Sequence, residues 1–130
     1  MTTAFWCLLA VILIPYVLAG LGAYFRTRQL GTLDNKNPRA QTAQLQGAGA
    51  RAVAAQQNAW EALPVFATSV FVAHLAGADA GSSATAALVF VAARSLHSVF
   101  YIANLDVLRS LSFLVGVLCC FWLFVQAALA

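Results

Sequence analysis

Ala50-Arg51-Ala52-Val53-Ala54-Ala55-Gln56-Gln57-Asn58-Ala59-Trp60-Glu61-Ala62-Leu63-Pro64 runs without a break into the apolar segment Val65–Ala76. Its polar residues therefore belong to a helix entering a membrane, not to a loop. Arg51, Asn58 and Glu61 fall at i, i+7 and i+10, close to one face of an α-helix, with Ala54 and Ala55 between them. Ionisable groups at membrane depth are costly and face protein or a wet cavity. Two readings follow. One is structural: a snorkelling Arg51, a packing Asn58 and an ion-paired Glu61. The other is a polar cavity with a function, and the remaining segments decide between them.

The 130 residues are 62% hydrophobic and 8% charged, with a mean hydropathy of +0.84. Soluble domains carry about 25% charged residues, and so short a chain could not hide this much apolar surface in water. A single-domain, all-α integral membrane protein over residues 1–130 is expected. The formal charge of +3 sits beside apolar segments, so topology accounts for it and no nucleic-acid partner is expected. Cys7, Cys119 and Cys120 all lie inside apolar runs without metal-ligand spacing. They read as small buried hydrophobes, and no metal site is expected.

Ala4–Phe25 is long enough to cross a bilayer, for which about 20 residues suffice. No Lys or Arg precedes it, while Arg26 and Arg28 follow it, the reverse of a secretory leader. A retained helix with an exterior N-terminus is expected, kinked at Pro15. Residues 26–49 form the one long polar stretch, rich in turn residues, with Asn37 driven from the helical region by Pro38. Arg26, Arg28, Lys36 and Arg39 make this loop cytoplasmic by the positive-inside rule.

The second helix is expected at about 44–76, with Pro64 freeing the Trp60 carbonyl and His74 near its far interface. The third is expected at about 82–103, after an exterior turn carrying Asp79. Its last turns hold Arg94, His97 and Tyr101, at i, i+3 and i+7 on one face. Asn104–Asp106 makes a tight connection to the fourth helix, about 107–129, which starts with Arg109 and Ser110. The expected architecture is a four-transmembrane-helix bundle with both termini exterior.

Asn58 and Glu61 then lie roughly 10–15 Å beyond Arg51, and Arg94 roughly 13 Å inside the end of its own helix, at about 1.5 Å per residue. Apart from His74 and Gln126, the strongly polar side chains share one leaflet. Snorkelling needs only a helix end, whereas Glu61 and Arg94 are two to three turns inside. A polar cavity open to the cytoplasmic side is the economical explanation, with Glu61 and Arg94 expected to form a buried ion pair across it.

These residues resemble the MAPEG family, the membrane-associated proteins in eicosanoid and glutathione metabolism. Its Arg-x-x-Arg-Ala-x-x-Asn-x-x-Glu pattern is similar to Arg51–Glu61, followed by Pro64-Val65-Phe66. Its Arg-x-x-His-x-x-x-Tyr matches Arg94, His97 and Tyr101, and an Arg-Ser pair stands at Arg109-Ser110. The loop Asp34-Asn35-Lys36-Asn37-Pro38-Arg39 looks like that of bacterial members. Ala54 replaces the pattern's second Arg, and Gln57 stands where the prostaglandin E synthase has a further one.

The resemblance implies a homotrimer surrounded by membrane lipids, in the inner membrane if the source is bacterial. It implies glutathione as co-substrate near the cytoplasmic leaflet, and attack of its thiolate on a lipophilic electrophile or lipid hydroperoxide. Arg109 is then the catalytic cation, with Tyr101 and Ser110 as donors. Arg51, Asn58, Glu61, Arg94, His97 and Tyr101 form the binding shell. Two alternatives stay open: a non-catalytic MAPEG-like scaffold binding a lipid or partner protein, and a small four-helix transporter. The transporter fits poorly, because by family analogy its essential Glu belongs in the first helix, which has no charge.

Overall fold

A computed structural model describes all 130 residues and is entirely helical. The elements are α1 (Thr3–Leu30), α2 (Pro38–Thr42), α3 (Gly47–Leu75), α4 (Ala80–Ile102) and α5 (Asp106–Leu129).

The helix α1 runs five residues beyond the expected Phe25, carrying Arg26 and Arg28 within it. Arg28, in the last turn, suits the negative end of the helix dipole. The stop comes at Gly31, whose φ of 83° lies in the left-handed region and whose N–H reaches the Thr27 carbonyl. Pro15 is buried inside this helix, which continues through it.

The loop is shorter and more ordered than its sequence suggested. Asn37 is driven out of the helical region, with φ −129° and ψ 58°, and Pro38 opens the short helix α2. Gln41 is buried and ties the loop together. Its Oε1 accepts from the Asp34 N–H at 3.0 Å and from Arg26 at 3.4 Å, and its Nε2 donates to the Thr32 carbonyl. Gln29 and Gln46 exchange two hydrogen bonds, side chain to backbone, of 3.0 and 3.1 Å. The second long helix therefore begins at Gly47, not at Gln44, because Gln46 is held extended. Two residues on, a Cβ at Gly49 would lie 2.8 Å from Gln29 Nε2 and 3.1 Å from Phe25 Cβ. A side chain at position 49 would have to displace Gln29 and press on Phe25, so glycine suits this close start of α3 against α1.

At the opposite end, Asp79 caps α4 by accepting from the Ser82 N–H at 2.7 Å. The α4–α5 turn needs a left-handed residue, and Asn104 supplies it with φ 62°. The helices α1, α4 and α5 are each long and apolar enough to cross a membrane. The 29-residue α3 matches them in length, but its first half carries the polar face.

On both sides α3 has partners: α1 packs on α3 and α4, and α5 packs on α4 and α3. Away from the loop, the core joins Val11, Phe66, Val70, Phe90, Cys120 and Leu123 from four helices. There Phe66 and Phe90 stack with ring centres 4.0 Å apart. Toward the loop, α3 buries only Gly49, Ala52, Ala55 and Ala59, and residues this small let backbones approach closely. Bulk leaves the core where the polar residues enter it. All three cysteines are free and buried, as their apolar surroundings suggested.

Candidate functional site

The start of α3 and the end of α4 meet at the loop end of the bundle. Arg51 Nε donates to the Ile102 carbonyl at 2.9 Å. That carbonyl belongs to the last turn of α4, where backbone acceptors lack intrahelical donors, so Arg51 caps that helix. Next to this tie, the Arg109 guanidinium sits over the Tyr101 ring, 4.6 Å from its centre. A cation against a ring face is attracted by the ring quadrupole, and the contact orients both groups. Ser110 follows on the exposed surface of α5, beside Arg109 on a shallow groove.

One turn inward from Tyr101, His97 packs edge-on against it at 5.7 Å and against the Phe113 ring at 6.3 Å. His97 is 3% exposed, and its Nδ1 is buried without a hydrogen-bond partner. A sealed, unpaired polar atom costs about 1–3 kcal/mol, so packing alone does not account for a histidine here.

Farther in, Arg94 is also only 3% exposed. The expected ion pair with Glu61 does not form. Arg94 Nη2 donates instead to the Asn58 side-chain oxygen at 2.5 Å and to the Asn58 backbone carbonyl at 3.2 Å. Glu61 stands exposed on the next turn and accepts from Gln57 at 3.4 Å. The physical reason is desolvation. Burying a carboxylate beside the guanidinium strips water from two charges, and their attraction does not reliably repay it. A neutral amide and a carbonyl give Arg94 Nη2 two acceptors while only one charge is buried.

Asn58, Glu61 and Arg94 form one wall of a cavity of about 280 Å³ between α3, α4 and α5, and Phe90, Phe113 and Gly116 form much of the rest. The named residues thus fall into an outer group of Arg51, Tyr101 and Arg109 and an inner group of Asn58, Glu61 and Arg94. His97 lies between them. The sequence reading missed Phe113 and Gly116, which sit in an apolar run with no polar signal. It also missed Gln41, one of several glutamines in a polar stretch.

The family model for MAPEG matches residues 3–129, nearly the whole chain. The chain belongs to the MAPEG family. That membership and its apolar helices make it an integral membrane protein, of the group concerned with eicosanoids and glutathione. No curated protein matches this MAPEG sequence.

Proposed function

We propose that this MAPEG protein is a membrane-bound glutathione transferase or peroxidase acting on lipophilic electrophiles or hydroperoxides. The observation that carries the reading is Arg109 held 4.6 Å over the Tyr101 ring at the loop end. It fixes a permanent cation beside a phenol where a water-soluble thiol would meet a membrane-dissolved partner. A free thiol has a pKa near 8.5, so the site gains rate by stabilising the thiolate. In this reading Arg109 supplies charge, Tyr101 and Ser110 donate hydrogen bonds to sulfur, and Arg51 holds part of the peptide. Asn58, Glu61, Arg94 and His97 complete the binding shell.

The thiol releases its proton to water, and the thiolate attacks the electrophilic carbon. A sulfur–carbon bond forms as the leaving group departs with its electron pair. With a hydroperoxide, the thiolate takes the terminal oxygen, the O–O bond breaks, and the alkoxide picks up a proton. A second glutathione then converts the sulfenic acid to glutathione disulfide and water.

Four membrane spans, both termini exterior, the loop in the cytoplasm and a homotrimeric assembly belong to the same proposal. Its supports are the length of α3, the cations of the 26–39 stretch and the small residues of α3. The test is detergent-purified protein incubated with glutathione and a reactive aryl halide. Conjugate formation above the uncatalysed rate is expected; none with any thiol leaves the non-catalytic scaffold, a reading favoured by Ala54 and Gln57 where family cations stand.

A further inference from the structure

We propose that the groove between α4 and α5, at the end away from the loop, binds one phospholipid whose headgroup carries a primary ammonium, as in the ethanolamine class. The ammonium sits on Asp79 and one acyl chain lies along the trench below it. The groove shares no residue with the site described above and does not depend on the glutathione reading.

Shape comes first. A trench of about 370 Å³ runs from Ser82 and Thr85 to Val89 on α4, with Trp122 on its α5 side. A mouth of about 240 Å³ continues it past Asp79 and Gln126. Both parts are lined by Ser82 and Trp122, so they form one groove. Asp79 and Val89 are ten residues apart, roughly 15 Å at about 1.5 Å per residue. That is the depth of one leaflet, half of a hydrocarbon core about 30 Å thick. A lipid with its headgroup at Asp79 therefore lays its chain past Thr85 and Val89.

A groove on membrane-spanning helices is filled by lipid or by another helix, and width separates the two. Spread over the roughly 10 Å from Ser82 to Val89, the 370 Å³ of the trench gives a mean section of roughly 37 Å², less than half that of a helix about 10 Å across. Trp122 also stands at the top of the trench, its Nε1 donating across to Ser82 Oγ at 3.4 Å. A rigid helix is kept out there, while a flexible chain passes beside the ring. Indole at headgroup level is the usual place for a membrane tryptophan.

Charge then selects the lipid. All 7 Lys and Arg residues lie in the loop half of the molecule, so Asp79 has no Lys or Arg at its own end. Its Oδ1 accepts from the Ser82 N–H at 2.7 Å, which leaves Oδ2 for an incoming donor. A lone carboxylate at the mouth attracts an ammonium and repels an anionic headgroup. The Ser82 hydroxyl accepts from Trp122 and keeps its own proton for a phosphate or ester oxygen. Beside it, Gln126 borders the mouth with an Nε2 for which the chain supplies no acceptor, and the same headgroup oxygens supply one when the amide turns outward.

The test is native mass spectrometry of the full-length protein in mild detergent, with phosphatidylethanolamine, phosphatidylcholine and phosphatidylglycerol of identical acyl chains supplied in equal amounts. One phosphatidylethanolamine per chain is expected, retained about fivefold over phosphatidylglycerol, the upper end for an exposed ion pair. Phosphatidylcholine, whose ammonium has no N–H, should fall between them. Asp79→Asn keeps the capping acceptor and removes the charge, so it should level the three. Thr85→Trp fills the trench from an exposed position and should remove bound lipid of every kind. Val89→Trp, at a position 43% exposed, carries that arm if Thr85→Trp does not fold. A diazirine on the acyl chain of the ethanolamine lipid should mark the 82–89 and 115–122 stretches. Equal or tighter retention of phosphatidylglycerol, a preference that survives Asp79→Asn, or binding indifferent to both trench substitutions overturns the proposal. So does a wild type that keeps no lipid, or a probe that never reaches these stretches because a second copy covers them.

Discussion

Arg109 is the side chain on which the proposed chemistry turns, and a charge-preserving change separates its two explanations. A positive-inside anchor tolerates Arg109→Lys. A planar guanidinium seated on Tyr101 is not replaced by a compact ammonium, so turnover should fall about tenfold, near 1.4 kcal/mol of transition-state stabilisation. Conjugation rates across pH measure this; wild-type rates with an unshifted thiolate titration would move the catalytic cation to Arg51. Arg94 makes a different prediction. Asn58→Leu removes the side-chain acceptor of its guanidinium and leaves the backbone one, and it should lower stability by the loss of a hydrogen bond to a charged group, about 1.5–3 kcal/mol, read as a lower melting temperature. Arg94→Met should also destabilise, and the double variant should lose less than the sum of the two. Strict additivity would mean that the Arg94–Asn58 bonds contribute nothing. The sequence pointed to Arg51, Asn58, Arg94, His97, Tyr101 and Arg109 because charge inside an apolar run is conspicuous. It mispaired Arg94 because spacing places Asn58 and Glu61 on one face without saying which of them turns inward.

At the scale of elements, hydropathy and turn chemistry marked the long helices to within a few residues. What escaped was the ordering of the loop, because glutamine side chains that clamp backbone 7, 9 and 17 residues away leave no periodic signal. Asp34 makes this ordering dependent on pH. Its carboxylate accepts from the Asn37 N–H at 3.0 Å and the Lys36 N–H at 2.8 Å. These bonds, chiefly the one from Asn37, hold its pKa below the ordinary carboxylate value. A depressed acid stabilises the folded loop above its unfolded pKa of about 3.9, and that stabilisation disappears as pH falls through the lower folded value. Amide exchange at Lys36 and Asn37 should accelerate between neutral pH and about pH 3, after correction for intrinsic rates. Asp34→Asn, which keeps the acceptor and removes the titration, should abolish that step; an unchanged step would assign it to another group.

For the whole molecule, the order of the long helices was readable because charge or glycine separates successive apolar runs. The assembly was not, since faces toward lipid and faces toward another copy are equally apolar. Native mass spectrometry from mild detergent should show a trimer as the dominant species, and a stable monomer or dimer would refute that assembly. The bond between Asn58 and Arg94 spans 36 positions of chain and also has a direction in time. Ribosomes deliver about 5–20 residues per second, so Asn58 leaves the ribosome a few seconds before Arg94. On the four-span reading α3 is then already in the bilayer when α4 follows. A lone arginine at mid-bilayer costs about 2.5–3.5 kcal/mol on insertion scales, a barrier that this one meets with its acceptor already in place. Reversing the order of the two helices by circular permutation would keep the finished contact and leave the incoming cation with nothing to receive it, so the linear order of the chain is itself part of how the protein enters its membrane.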